Sequence, residues 1–213
     1  MDVLLIRHAN MAGDPQGYYS PPVQGCLSPQ GEAQAAALAR RLDGARIDAI
    51  YSSPLGRAVQ TAQALALPRG LRMAILPWLV EWLPAPALQK GDPARFEETL
   101  KAAARLRPEE SWKTAAGEGV FEMANRIVPG WLDLLARHGV RAGHGGYLLP
   151  DEAAQLRLAV VSHGATLGVL LSHILGIPMQ PFPPLHLKET ACATIEFVRR
   201  ADVWYPALRL ESA

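Results

Sequence analysis

The sequence predicts an α/β fold, a three-layer α/β/α sandwich around a mostly parallel, mixed central sheet. Short apolar runs alternate with segments of helical periodicity, which is typical of parallel strands joined by crossover helices. Three of these runs end in polar segments that open the next helix: Leu5–His8, Ser52–Arg57 and Val161–Gly164. Because ligands bind where parallel strands end and helices begin, these segments are expected to form one cationic pocket suited to phosphate.

The composition is that of an ordinary globular protein. At 213 residues, with 49% hydrophobic and 19% charged residues, the chain is long enough to bury a core, and we expect residues 1–213 to form one domain. A net charge of +1 gives no overall basic field, so nucleic acid is not an expected partner. Neither a membrane span nor a signal peptide is predicted, and the two cysteines, Cys26 and Cys192, form no disulfide framework, so a cytoplasmic location is expected.

The first half of the chain contains three predicted strands and two predicted helices. Ser28 and Pro29 have the residue types of a helix N-cap and of the first helical position. Apolar residues at helical spacing follow them and mark the buried face of this helix. The other predicted elements are a strand over 2–6, a loop over 9–25, a strand over 48–51, a helix from Pro54 to about Leu67 and a strand over 71–76.

The second half begins with a variable, mostly helical segment at about 83–150. Within it, residues from about 93 to 138 are expected to be mostly helical, and Pro129-Gly130 is expected to kink or interrupt the last helix. The glycine-rich stretch 139–150 predicts a loop. The chain then closes with a strand over 156–161, a helix over 165–175 and a pair of strands over 191–198 and 203–210.

The segments at the strand ends resemble the histidine phosphatase superfamily, also called the phosphoglycerate-mutase-like family. Arg7-His8-Ala9 is similar to its Arg-His-Gly motif, and Leu27–Gly31 looks like its Leu-Thr-x-x-Gly helix start. Ser52–Ala62 is similar to the long second motif over its whole length, and Ser162-His163-Gly164 resembles the last motif. Glu81 stands where the family carries its acid. The resemblance implies a phosphoglycerate-mutase-like fold and is weak from about residue 83 to 150.

This resemblance implies a metal-independent phosphomonoesterase with a phosphohistidine intermediate. His8 would attack phosphorus through a ring nitrogen, and Arg7, Arg57 and His163 would bind the phosphoryl oxygens. Glu81 would protonate the leaving oxygen and then take a proton from the attacking water. No cofactor is implied, because two arginines would supply the positive charge that a metal supplies elsewhere. The expected partner is a small phosphorylated substrate, and a homodimer is one option for the assembly.

The chain departs from the family pattern in three places. Ala9 replaces the usual glycine, and Glu81 is followed by Trp82–Pro86 rather than by the family's Gly/Trp/Glu-rich continuation. Asp14 stands where many members carry a phosphate-contacting asparagine. Because a carboxylate there would repel phosphate, we expect this loop to take another path, with Asn10 as the substitute phosphate donor.

Other residues near the predicted site have expected supporting roles. Trp82 follows Glu81, and the loop that begins after His8 contains Tyr18-Tyr19, so these aromatic residues are hypothesised to line an apolar wall for the leaving group. Glu118, in Gly117-Glu118-Gly119, resembles a Gly-Glu-Ser segment of the family. We expect it to cap a helix or to orient a site residue rather than to react.

Three functions are open at this point. A phosphatase and a cofactor-dependent phosphoglycerate mutase would share the phosphohistidine, whereas a non-catalytic phospho-ligand binding protein would not need one. Mutases of this kind carry an Arg-Arg pair in the middle of the chain, and 83–150 has none: Lys90, Arg95 and Lys101 are scattered. This difference favours the phosphatase. The three intact motifs argue against a pure binding protein, and the sequence does not identify the phosphate ester.

Overall fold

The structure, a computed structural model, describes residues 1–12, 26–86, 93–110, 112–179 and 183–209. Four residues of the sequence predictions, Asp14, Tyr18, Tyr19 and Lys90, lie outside this description. The strands are β1 (Asp2–Arg7), β2 (Ala49–Ser52), β3 (Met73–Ile75), β4 (Lys113–Thr114), β5 (Gly117–Glu118), β6 (Arg141–Gly143), β7 (Gly146–Leu148), β8 (Arg157–Ser162), β9 (Cys192–Arg200) and β10 (Val203–Arg209). The helices are α1 (Pro29–Arg41), α2 (Gly56–Ala66), α3 (Pro93–Ala103), α4 (Val120–Ala136), α5 (Asp151–Ala154) and α6 (Gly164–Leu175), with short 3₁₀ helices over Leu67–Arg69, Pro77–Leu79 and Pro108–Glu110.

Eight strands form one mixed sheet in the order β3-β2-β8-β1-β9-β10-β7-β6. The four strands from β3 to β1 are parallel, and β9, β10, β7 and β6 continue the sheet with antiparallel pairings. This arrangement confirms the predicted fold class. That residues 1–213 form one domain stays a prediction. Within the described ranges, no helix combines the length and the apolar character that crossing a membrane requires.

The core lies on both faces of the sheet because the central strands are apolar on both sides. Along β1, Val3 and Leu5 pack into the cluster under α4 and α6, whereas Leu4 and Ile6 pack into the cluster under α1 and α2. Strand β8 alternates in the same way. Full burial of one such aliphatic side chain stabilises the fold by roughly 1.5–3 kcal/mol, so these two strands are fixed firmly in the middle of the molecule. His8 and His163, which directly follow β1 and β8, therefore start from firmly placed strand ends.

The predicted helix α1 is confirmed in detail. Ser28 is its N-cap, and the Ser28 hydroxyl accepts a hydrogen bond from the amide of Gly31 at 3.0 Å. Helix α2 begins at Gly56, two residues later than predicted from Pro54, because Leu55 is still extended, with φ −75° and ψ 133°. The extended residues between β2 and α2 bring Ser53 and Arg57 to the end of the sheet.

Two hairpins differ from the predictions for the variable segment, and its last helix is not interrupted at Pro129-Gly130. A small hairpin, β4–β5, lies within the part predicted to be helical, and the hairpin β6–β7 replaces the predicted glycine-rich loop. The turn of β6–β7 has positive φ at His144 and Gly145, as in the tight turns that join twisted strands. Helix α4 continues through Pro129 and Gly130. A Cβ on Gly130 would lie 2.3 Å from Trp78 Cγ, so this glycine allows close packing rather than ending the helix.

Candidate active site

The predicted site residues meet at the edge of the sheet where the parallel strands end. In register, Arg7 pairs with Ser162 on β8, and Ser52 of β2 pairs with Val161. The ladder continues one residue beyond the strands, since the amide of His8 donates to the Ser162 carbonyl at 2.9 Å. The three motifs therefore start from adjacent, rigid strand ends, as the sequence predicts.

His8 is buried and carries its proton on Nδ1. Nδ1 lies 2.7 Å from the Ala9 carbonyl oxygen, which can only accept, so Nδ1–H is the donor. Nε2 accepts a hydrogen bond from Arg57 Nε at 3.2 Å and therefore presents its lone pair. Burial first, and then the charges of Arg57 and Arg7, lower the pKa of His8 to about 3, although the bond to Ala9 opposes the shift. The imidazole is consequently neutral at pH 7, as a nitrogen nucleophile must be.

The backbone after His8 is held by helix α2. The Ala9 amide donates to Thr61 Oγ1 at 3.0 Å, and the Thr61 hydroxyl donates to the Arg57 carbonyl at 2.7 Å. Ala9 is fully buried, and its φ is not positive. Its side chain therefore fits the position where the family pattern has glycine.

Two arginines flank His8, and each is fixed by the fold. Arg57 lies in the first turn of α2 and is 5% exposed. Arg7 ends β1, and its Nη1 donates to the Leu187 carbonyl at 2.8 Å. The buried Nε of Arg7 has no acceptor among the described residues. The guanidinium lies against Gly164, where a Cβ would come within 3.4 Å of Arg7 Cζ.

His163 is fully buried at the N-cap of α6, beside His8. The two ring centroids lie 4.9 Å apart, with the rings tilted by 58°. His163 Nε2 lies 2.7 Å from Ser53 Oγ, and Nδ1 has no hydrogen-bond partner within the described chain. Burial, followed by the charge of Arg57, lowers the pKa of His163 well below its usual value. Both histidines of the site are therefore neutral at pH 7.

Glu81 lies at the same helix end as His163. Its Oε1 accepts from the Thr166 amide at 3.2 Å, and its Oε2 accepts from the Ala165 amide at 3.4 Å. Oε1 also accepts from the Trp82 amide at 2.9 Å. The carboxylate thus covers the positive N-terminus of α6.

Arg126 on α4 is a supporting residue that the sequence reasoning missed. Its guanidinium donates two hydrogen bonds of 2.8 Å to the Glu118 carboxylate, and it also donates to the carbonyls of Trp78, Val80 and Glu81 at 2.8, 3.1 and 3.1 Å. This arrangement fixes the backbone that carries Glu81. That Glu118 orients a site residue stays a prediction. The available signal was a cation two helical turns after Glu118, on a predicted helix.

Asn10 takes part in a hydrogen-bond network just beyond the end of β1. Its Nδ2 donates to Glu189 Oε1 at 2.9 Å, and its Oδ1 accepts from the Ser28 hydroxyl at 2.6 Å. Gln34 completes the network, because it accepts from the Asn10 amide and donates to Glu189. Asn10 Nδ2 carries a second N–H besides the one that it donates to Glu189, and the role of Asn10 as a phosphate donor stays a prediction.

The Trp82 indole is anchored rather than free. Its Nε1 donates to the Glu118 carbonyl at 2.7 Å, and the ring packs against the larger core cluster. The apolar wall predicted for Trp82 and the tyrosine loop stays a prediction. In the described ranges, no three side chains of His, Cys, Asp or Glu are grouped so that they could hold a metal ion.

Comparisons with known proteins identify the family. The family model "Histidine phosphatase superfamily (branch 1)" matches residues 3–204. The alignment with the probable phosphoglycerate mutase GpmB of Proteus mirabilis is 212 residues long, at 29% identity. It covers 92% of this chain and 85% of that protein.

Solved structures of similar fold carry phosphatase names. A mycobacterial glucosyl-3-phosphoglycerate phosphatase in complex with VO3 superposes with a TM-score of 0.77 at 21% identity, covering 100% of this chain and 99% of that one. The α-ribazole phosphatase of Shigella flexneri superposes with a TM-score of 0.72 at 21% identity, covering 98% and 95% of the two chains. The chain therefore belongs to the histidine phosphatase superfamily, and it is an enzyme of the family that histidine phosphatases and phosphoglycerate mutases share.

Proposed function

We propose that this protein is a phosphomonoesterase that hydrolyses a small phosphorylated metabolite through a phosphohistidine at His8, without a metal ion. The observation that carries the proposal is the state of His8. Its Nδ1–H is held by a backbone carbonyl, its ring is neutral, and its Nε2 lone pair lies against Arg57 in a buried, cationic pocket. These are the requirements of a nitrogen nucleophile for phosphorus.

In the first step, Nε2 of His8 attacks phosphorus, and the N–P bond forms as the ester P–O bond breaks. The Arg57 Nε–H that donates to Nε2 in the free protein turns to a phosphoryl oxygen, and the unsatisfied Nε–H of Arg7 donates to another. The ring becomes cationic when it is phosphorylated. Its bond from Nδ1–H to the Ala9 carbonyl then becomes charge-assisted and stronger, which stabilises the intermediate.

Glu81 transfers the protons of the reaction. In its acid form it protonates the leaving oxygen, so that an alcohol departs rather than an alkoxide. Its carboxylate then accepts a proton from water as the water oxygen attacks phosphorus and the N–P bond breaks. His8 returns to its neutral form, and the products are the alcohol and inorganic phosphate. The hydrogen bonds from Ala165 and Thr166 hold the carboxylate in place for both transfers.

Trapping the phosphoenzyme tests this proposal. The wild type is mixed with a ³²P-labelled phosphate monoester in the presence of EDTA and quenched within one turnover. We expect a covalent label that is stable in base and labile in acid, and that is missing in His8→Asn. His144→Asn is the matched control, because His144 is exposed on the β6–β7 turn, where asparagine tolerates positive φ. A label that persists in His8→Asn, or activity lost in EDTA, would contradict the proposal.

A phosphoglycerate mutase is the second candidate, and the relatives named probable phosphoglycerate mutase GpmB favour it. The two functions differ in the acceptor of the phosphoryl group, which is water in one case and a second substrate oxygen in the other. The assay is incubation with 3-phosphoglycerate, with and without 2,3-bisphosphoglycerate. Release of inorganic phosphate supports the phosphatase, whereas 2-phosphoglycerate without phosphate release supports the mutase. Residues 83–150 contain no Arg-Arg pair of the kind that mutases carry, and the similar structures have phosphatase names. Both observations favour the release of inorganic phosphate.

A further inference from the structure

We infer that Ser53 fixes the proton of His163 on Nδ1, so that a neutral His163 offers an N–H donor to the ligand. Ser53 is then a positioning residue that acts through His163. The inference rests on the proposed function only in naming that ligand as a phosphoryl group. The location of the proton itself can be measured without any ligand.

The first step concerns the proton of the Ser53 hydroxyl. Ser53 is fully buried, and its Oγ already accepts a hydrogen bond from the Leu55 amide at 3.3 Å. Within the ranges that the structure describes, His163 Nε2, at 2.7 Å, is the acceptor that this hydroxyl meets. A buried hydroxyl without an acceptor is unfavourable, so Ser53 donates and His163 Nε2 accepts.

The second step follows from the charge of His163. The ring is fully buried beside Arg57, and these surroundings keep it neutral. A neutral imidazole has one ring proton, and because Nε2 accepts, that proton is on Nδ1. Nδ1 is buried and has no partner in the described chain. The N–H is therefore satisfied only when a ligand brings an acceptor, and a phosphoryl group on His8, whose ring centroid is 4.9 Å away, brings oxygens to this place.

The two histidines thus use one tautomer for opposite purposes. His8 donates its Nδ1–H to the carbonyl of Ala9, which leaves the lone pair of Nε2 for the attack on phosphorus. His163 accepts from a serine and is left with an N–H for oxygen. If the proton of His163 moved to Nε2, a lone pair on Nδ1 would face the phosphoryl oxygens and repel them. One serine hydroxyl therefore decides whether His163 attracts or repels the ligand.

Nitrogen-15 NMR of histidine-labelled protein tests the inference, with the His163 signals assigned by their loss in His163→Asn. In the ligand-free wild type at pH 7 we expect a protonated Nδ1 and an unprotonated Nε2. In Ser53→Ala the proton should shift to Nε2, and the Kd of orthovanadate should rise roughly 10- to 100-fold, as expected for an unmatched buried donor or acceptor. Ser53→Thr keeps the hydroxyl and should keep both properties.

Ser52→Ala is the matched control, because Ser52 is an equally buried serine whose hydroxyl donates to the Ser53 carbonyl and not to His163. Ser53→Cys is a second variant, in which a thiol of similar shape replaces the hydroxyl and is a weaker donor to His163 Nε2. A wild-type His163 that is charged or protonated on Nε2 would overturn the inference, as would unchanged spectra and unchanged vanadate affinity in Ser53→Ala. A wild type that binds no vanadate would overturn the proposed phosphatase function, and the ligand-free spectra would still decide the tautomer.

Discussion

Replacing Glu118 by glutamine removes the charge that holds Arg126 while keeping the shape of the side chain. In the wild type, the two charge-assisted bonds between these groups are each 2.8 Å long, and the side chains are only 9% and 21% exposed. Arg126 also holds the backbone from Trp78 to Glu81 through three carbonyls. The substitution should therefore loosen the segment that carries the proposed acid without touching His8.

The expected loss of stability can be bounded from these contacts. A hydrogen bond to a charged group contributes about 1.5–3 kcal/mol, and a glutamine oxygen still accepts one of the two. Arg126 also keeps its carbonyl partners, so the loss should stay below the 3–5 kcal/mol typical of breaking a buried ion pair. We expect the free energy of unfolding to fall by about 2 kcal/mol, measured by urea titration with tryptophan fluorescence. Glu97→Gln breaks an exposed pair with Lys101 and should leave stability unchanged.

Glu118→Gln should lower the activity on substrates whose leaving group needs a proton and leave the activity on other substrates nearly unchanged. An alkyl phosphate needs a proton on its leaving oxygen, so a displaced Glu81 should lower its kcat/KM about 10- to 100-fold in Glu118→Gln. Nitrophenolate departs without a proton, and p-nitrophenyl phosphate should be hydrolysed at nearly the wild-type rate. Equal losses on both substrates would refute a role in positioning the acid. An unchanged rate on the alkyl phosphate, despite lower stability, would refute it as well.

Three further predictions follow from the site. Glu81→Gln should lower kcat/KM for an alkyl phosphate by about 10²- to 10⁴-fold and for p-nitrophenyl phosphate far less, and equal losses would show that Glu81 is not the acid. Activity should persist in EDTA, and orthovanadate should inhibit competitively with the ester; loss of activity in EDTA would indicate a metal enzyme. Because burial lowers the pKa of His8 from 6.5 to about 3, the unfolded chain binds the extra proton between these values, so stability should fall as pH falls through this range, by up to about 1.4 kcal/mol per unit. Urea titrations at pH 7 and pH 4.5 should show a smaller decrease in His8→Asn than in the wild type.

The central sheet and the strand-end motifs were predictable because their signals are local. Apolar runs mark β1, β2 and β8, and each is followed at once by residues whose chemistry is recognisable, such as Arg7-His8. Parallel strands then bring their ends together without any further information. The Ser28-Pro29 helix start was equally predictable, since capping depends on neighbouring residues.

The variable segment was less predictable because its structure depends on contacts between distant residues. Strands β4 and β5 have two residues each, too few to show a period of two. The glycine-rich stretch 139–150 suggested a loop, but it forms the two strands β6 and β7. The turn between them places positive φ at His144, which is not a glycine, so the residue type did not indicate the turn. The spacing of Glu118 and Arg126 hinted at their ion pair, but nothing local indicated the carbonyl acceptors of Arg126, which lie 45, 46 and 48 positions earlier in the chain.

The electrostatics of the pocket connect the stability of the fold with the proposed chemistry. Four basic side chains, Arg7, Arg57, His8 and His163, converge on one site, yet the burial of both histidines keeps them neutral at pH 7. The pocket therefore holds two positive charges, which match a phosphate dianion, and both histidine lone pairs remain in use. Protonating either ring would add a third charge beside the arginines, which destabilises the folded state, and protonating His8 would also remove the proposed nucleophile. The arrangement proposed to bind phosphate is thus the same one that is expected to make the fold sensitive to acid.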